Sequence, residues 1–357
     1  MKTVNNHKNF DYRPQPLKVK KGGRRFLRAM AAGLMLILCA LGPVAAENPE
    51  PARSPGDPGA FRWGRPSPVW ELGLGTYFSR GESSWQIGFP SGNGRGRSVL
   101  DFQDLDGVVP LASLTLRHPQ SLLGLNLQAA SGNLNGGSGT DSDYLSGGLD
   151  LQSRMEVSGE LTFWSADLET TFSGVWGYPW YLKPFVGWQQ QQEKLRLTNG
   201  QWQIIRGLPD RQPLYGLDSR YEFNWEAVRL GLQGGLDFIT RPEPGLRQLG
   251  LKASWAFFPY LRFRGEGRWN LRPDLKADPS FVQEAEITGW GGWDGLLGLY
   301  YRPWDLLEFE GGARAVYFKV TEGRDLVYLS DNTALSADLD RAESWRYGLY
   351  LKVTGRF

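Results

Sequence analysis

Residues 345–357 restrict the fold more than any other stretch. Trp345, Tyr347, Leu349, Leu351, Val353 and Phe357 keep one alternating phase to the last residue. In a soluble domain such a strand would be an exposed, aggregation-prone edge. Closing the sheet onto residues 69–79 removes both edges and leaves no backbone group unpaired in lipid. The expected fold is all-β: an antiparallel transmembrane β-barrel.

The same period of two recurs upstream. Val228, Leu230, Leu232, Leu236 and Phe238 alternate with Arg229, Gln233 and Asp237, and Leu307, Phe309, Ala313 and Tyr317 with Glu308, Glu310 and Arg314. Trp164, Ala166, Leu168 and Phe172 do so with Asp167 and Glu169, and Leu123, Leu125, Leu127 and Ala129 with Asn126 and Gln128. Soluble sandwiches also alternate, so the turns decide. Short Pro-containing breaks fall at 117–119, 177–179, 241–245 and 302–304. Between them lie long Gly-, Ser- and Asp-rich segments near 80–97, 131–158, 190–222, 265–290 and 321–343. Short turns on one side and long loops on the other are the asymmetry of an outer-membrane barrel. Each short turn joins two strands, and the first and last strands bring the count to ten. Short turns then face the periplasm and long loops the outside. Trp176, Tyr178, Trp180, Tyr300, Tyr301 and Trp304 are expected to form an interfacial girdle.

Composition fits: 46 Gly, 15 Trp, 14 Tyr and 18 Phe accompany a mean hydropathy of only −0.40, as when half of each strand faces lipid and half faces water. The net charge of +2 is uneven, because residues 1–46 carry five Lys and four Arg against Asp11, leaving −6 for the remainder. Nucleic-acid binding loses its footing there. Residues 1–46 read as a signal peptide: a basic start, an apolar run at 29–41, then Pro43-Val44-Ala45-Ala46, with cleavage expected after Ala46. The apolar run is about 13 residues, short of the ~20 of a spanning helix. The one cysteine, Cys39, lies inside it, which removes disulfides and thiol catalysis from the processed chain. Residues 47–68, Pro-rich and polar, read as a flexible lead-in, and 69–357 as the barrel.

One stretch is recognisable within this frame: Ser98-Val99-Leu100-Asp101-Phe102, a turn at His118-Pro119-Gln120, then Gly136-Gly137-Ser138-Gly139-Thr140-Asp141-Ser142-Asp143-Tyr144. It resembles the omptin family of outer-membrane proteases, in motif over 98–144 and in outline over most of 69–357. The resemblance implies a ten-stranded barrel with an Asp pair facing an Asp-His pair at the outer mouth, a water between them attacking a peptide bond. Asp141 and Asp143 match the first pair, and residues i and i+2 of a strand point the same way. On spacing alone, Asp141-Ser142-Asp143 is more often a solvated loop or a weak calcium site. Asp101 is expected on the strand's inward polar face.

The second pair has no His. His7 precedes the expected cleavage site and His118 belongs to a periplasmic turn. Where the pair should fall, Asp278-Pro279-Ser280 and Glu266-Gly267-Arg268 have the spacing with Ser or Arg instead. Neither is a base at neutral pH. Asp278 and Glu266 are therefore the candidate carboxylates for an all-acid site with Asp141 and Asp143, one carboxyl staying protonated. Arg262, Arg264 and Arg268 are candidates for lipopolysaccharide phosphates or another polyanion.

Three functions follow: a non-proteolytic omptin-like barrel acting in surface binding or envelope structure, an all-acid endopeptidase taking peptides, and a small-pore channel. The last is disfavoured because side chains largely fill a ten-stranded lumen. No His or Cys ligand set for zinc, phosphate loop or Ser-His pair is legible, so neither metal nor cofactor is expected beyond lipopolysaccharide as a lipid partner. The strand ending at Phe357 is expected to engage the barrel-assembly machinery.

Overall fold

The computed structural model describes residues 70–91, 94–117, 123–145, 147–173, 180–239, 248–304 and 306–357. The expected signal peptide and lead-in, His7, His118, Trp176, Tyr178 and the turns around 118–119, 177–179 and 241–245 lie outside the described residues.

Every pairing is antiparallel. β1 (Trp70–Ser91), β2 (Gly94–Arg117), β3 (Leu123–Tyr144) and β4 (Leu151–Thr170) follow one another round the wall. The two-residue β5 (Phe172–Ser173) joins β4 in pairing with β6 (Trp180–Ile205). β7 (Leu208–Pro209) folds back on the tip of β6, and β8 (Pro213–Ile239) and β9 (Gln248–Arg268) come next. β10 (Phe281–Thr288) and β11 (Gly292–Trp304) share one position, because both lie between β9 and β12 (Leu307–Tyr328). β13 (Ala334–Arg356) pairs with β12 and then with β1, from Glu71↔Arg356 up to Gly88↔Asp338, closing a ring of ten positions.

The break between β10 and β11 has a local cause. Across from it, Val228 pairs with Tyr260 but Leu230 with Phe257, so β9 carries an excess at Phe258 and Pro259. The freed carbonyls of Pro259 and Phe258 accept from the N–H groups of Gly289 and Gly291 at 2.8 and 2.9 Å. At Gly292, with φ of 140°, a Cβ would lie 1.9 Å from the Tyr317 carbonyl oxygen, so only glycine fits.

The long segments expected as loops are mostly paired strand. β6 and β8 run for 26 and 27 residues, far beyond the roughly 9–11 that a membrane requires. Their polar side chains belong to the outer face of a wall that continues above the lipid. The side-chain chemistry of the two faces exchanges at that level. Along β8, Tyr221, Phe223, Trp225, Arg229 and Gln233 share the inner face, while Glu222, Asn224, Glu226, Leu232 and Leu236 share the outer. Phase is constant; polarity inverts.

Below the exchange, apolar side chains face outward, with Leu349 64% and Leu351 58% exposed, and ion pairs fill the lumen. Arg229 joins Asp167 and Asp294 at 3.2 and 3.1 Å, Arg314 joins Asp294 at 2.7 Å, and Glu310 holds Lys252 and Lys352 at 3.0 and 2.7 Å. Tyr300 belongs to this interior: it is buried and donates to Asp237, so it leaves the expected girdle, whereas Tyr301 and Trp304 face outward. Above the exchange the lumen is an aromatic core, with Trp85 1% and Trp225 0% exposed. Trp85 meets Tyr221 edge-on at 4.8 Å, and Trp225 stacks on Phe318 at 5.3 Å. The outer face there carries Lys194, Arg196, Glu222 and Arg264. Asp101 is on that outer face as well, accepting from Ser84 rather than facing the lumen.

One ion pair marks the boundary. Arg346 on β13 reaches across to Glu193 on β6, Nη2 to Oε2 at 2.8 Å, and donates through Nη1 to Ser79 Oγ and the Leu105 carbonyl. Replacing Glu193 with Leu strands the guanidinium and is expected to cost about 3–5 kcal/mol. Leu351→Arg, on the lipid face, is expected to cost about 2–4 kcal/mol, and Arg264→Leu, above the lipid, within ~0.5 kcal/mol of neutral. Urea unfolding in lipid vesicles would rank the three.

Candidate functional site at the outer mouth

The tops of β2 and β3 present Ser98, Leu100 and Phe102 opposite Asp143, Asp141 and Gly139, all on the inner face. On its other side Asp141 is opposite Ser153, and Gly139 opposite Met155. A Cβ on Gly139 would press on Met155 and Phe102 at 3.0 and 3.1 Å, so that position is filled to contact. Leu100, Phe102 and Met155 are buried and make an apolar floor beneath two carboxylates.

Ser98 Oγ donates to Asp141 Oδ1 at 3.4 Å. Burial pushes the Asp141 carboxyl up to about 7; the neighbouring Asp143 adds to this, and the Ser98 hydroxyl and Arg272 oppose it. Asp143 is raised too, chiefly by burial, with Asp150 adding repulsion. Two acids this close titrate as a pair that keeps a proton toward neutral pH. Arg272, in the 269–280 segment between β9 and β10, acts electrostatically on both carboxylates. It is also bound to Asp274, Nε to Oδ1 at 2.9 Å and Nη2 to Oδ2 at 2.7 Å. What the segment expected to carry the second catalytic pair brings to Asp141 and Asp143 is the electrostatic influence of a guanidinium.

The other expected residues are elsewhere. On β9 the inner face carries Phe263, Gly265 and Gly267, which turns Arg262, Arg264, Glu266 and Arg268 outward. Glu266 thus stands on the outer wall, 3.4 Å from Arg264, and does not join the Asp pair. Arg262 lies 3.8 Å from Glu226 and 3.6 Å from Glu286, and Arg268 lies next to Arg220, which pairs in turn with Arg196. Asp278 is exposed on the 269–280 segment. Ser280 is buried, donating to the Lys276 carbonyl at 2.8 Å and accepting from the Trp269 N–H at 3.1 Å, so it holds the segment's shape. Arg117, beside His118 in sequence, is at the opposite end of β2 from Ser98.

A further inward carboxylate above the exchange carries no mark in the sequence pattern. Asp325 on β12 is 2% exposed and opposite Gln283, which accepts from the Tyr221 hydroxyl. Burial pushes Asp325 up to about 6, and its hydrogen bond with Gln283 opposes that. The inner phase of β12 runs through Val316, Phe318 and Val320, then shifts at Glu322, whose φ is 64°. That one-residue shift hides Asp325 from a strict period of two.

No family model and no curated protein sequence matches the chain. Among solved structures it is similar to the outer-membrane protease OmpT of Escherichia coli, with a TM-score of 0.62 at 11% identity over 81% of this chain and 96% of that one. Two further barrels match more loosely: the transport unit of the Escherichia coli autotransporter AIDA-I (TM-score 0.32, 11% identity, 84% and 93% covered) and a Pseudomonas aeruginosa FadL homologue (0.28, 10%, 81% and 90%). The fold is that of a bacterial outer-membrane β-barrel.

The Asp pair gives a pH signature. The folded protein holds a proton on Asp141 that the unfolded chain releases near pH ~4. This group therefore favours the fold below that pH, and its contribution is lost as pH rises through about 7. Asp141→Asn is expected to flatten the decline in stability between these limits, read as the wild-type minus variant difference in urea unfolding across the pH series.

Proposed function

We propose that the protein is a closed, omptin-like outer-membrane barrel that acts by binding at its extracellular surface, without the peptidase chemistry of that family. The observation that carries this reading is the charge that acts on Asp141 and Asp143: Arg272 cannot take a proton from water, and its charge lowers the basicity of both carboxylates. The aromatic core supports the same reading, because it fills the lumen beneath the mouth and opposes a small-pore role. On the outer wall, Arg220 and Arg268 stand side by side above the lipid-facing band, a placement suited to phosphates of lipopolysaccharide. The apolar outer face of β13 suits recognition by the assembly machinery during insertion.

The second reading is an aspartic-type endopeptidase. It is favoured by the Asp141 carboxyl, which titrates where a histidine would and could serve as the replaced base. Peptide cleavage by the refolded, lipopolysaccharide-supplemented barrel from pH 4 to 9 separates the two. The binding reading expects no cleavage at any pH. Cleavage that disappears in an Asp141→Ala/Asp143→Ala variant would replace it with the peptidase.

A further inference from the structure

Inside the barrel, below the aromatic core, two cavities adjoin. The lower, of ≈ 80 Å³, is lined by polar and charged groups, among them Asn126, Arg229, Asp294 and Thr354. Asn126 Oδ1, Arg229 Nε and Thr354 Oγ1 are buried there without a hydrogen-bond partner. The upper, of ≈ 60 Å³, is walled by Leu111, Ala130, Leu161, Phe163 and Val316. Ser113, Gln128, Leu296, Arg314 and Lys352 line both, so the two are one chamber with an apolar top and a polar base. Together they approach the ~150 Å³ that admits a benzene ring.

The charges round the upper cavity are one-sided: Arg314, Arg346 and Lys352 line it, and no carboxylate does. Each nitrogen of Arg346 is engaged, by Glu193, Ser79 or the Leu105 carbonyl. The other two keep capacity. Arg314 gives Nε and Nη2 to Asp294, which leaves Nη1, and Lys352 gives Glu310 one of its three N–H donors. An apolar chamber with unspent cationic donors at its waist selects an apolar body that ends in an anion.

We propose that this chamber, both parts occupied together, is a binding site for a small organic acid, with an aromatic or short aliphatic body reaching down from the apolar upper part and its carboxylate held by Arg314 and Lys352. The unpartnered polar atoms of the lower part face the carboxylate's outer side. The proposal is independent of the binding reading of the mouth, because it concerns other residues in the membrane-level lumen.

The test is fluorine NMR on the full barrel refolded in micelles with 4-fluorobenzoate present, against 4-fluorotoluene and 4-fluorobenzylamine as neutral and cationic isosteres. The acid is expected to bind about tenfold or more tighter than either isostere, the discrimination typical of a hydrogen-bonded charge. Ala130→Phe, which fills the upper part, is expected to abolish binding, and Lys352→Met to weaken it by about tenfold. Lys352→Met leaves Glu310 paired with Lys252, and heat-modifiable gel mobility verifies that both variants fold. Absence of binding by the acid, equal binding of the three probes, or binding undiminished in a folded Ala130→Phe barrel would each overturn the proposal.

Discussion

The structure depends on one ladder of backbone hydrogen bonds, that between β1 and β13. A sheet in lipid cannot leave an edge, since each unpaired amide or carbonyl in hydrocarbon costs several kcal/mol. The register from Glu71↔Arg356 to Gly88↔Asp338 removes the edge over the whole height of the wall. Once the ring is closed, side chains are assigned to inside or outside by parity between the bulges, and the sequence can write a different environment on each face at each height.

It writes two. In the lower part, lipid takes the apolar face and the lumen takes Asp167, Arg229, Asp294, Arg314 and Glu310, cross-linked into pairs. Charges in so enclosed a space persist only when paired. In the upper part water takes the polar face, and Trp85, Phe223, Trp225 and Phe318 pack inside as they would in a soluble core. Arg346 and Glu193 stand where one regime gives way to the other and tie opposite walls together. A barrel that protrudes this far needs such a core, because no lipid supports its upper half.

Much of this was legible from residue order. The alternation around Leu230–Phe238 and Leu349–Val353 places the lipid face correctly, and the Pro-containing breaks give the ten positions. What was missed has a physical origin. Gly-, Ser- and Asp-rich segments look like loops, yet Tyr221, Phe223 and Trp225 alternating with Glu222, Asn224 and Glu226 already carry the signal of a strand whose polarity has inverted. Parity assigned Asp141 and Asp143 to one face, and the structure turns that face inward. It also turns Glu266 outward, through its neighbours Phe263, Gly265 and Gly267. The inward turn of Asp325 depends on a bulge, and the influence of Arg272 on the Asp pair depends on how the 269–280 segment folds, and no local pattern encodes either.

The lumen is blocked by its own aromatic core, which confines any chemistry or binding to the mouth, the outer wall and the enclosed chamber. Planar-bilayer recording of the refolded barrel tests this most directly. The structure predicts a quiet membrane for the wild type and conducting steps only when Trp85, Phe223 and Trp225 are cut back together to Ala in a variant that still folds. Stable open steps from the wild-type barrel would contradict it.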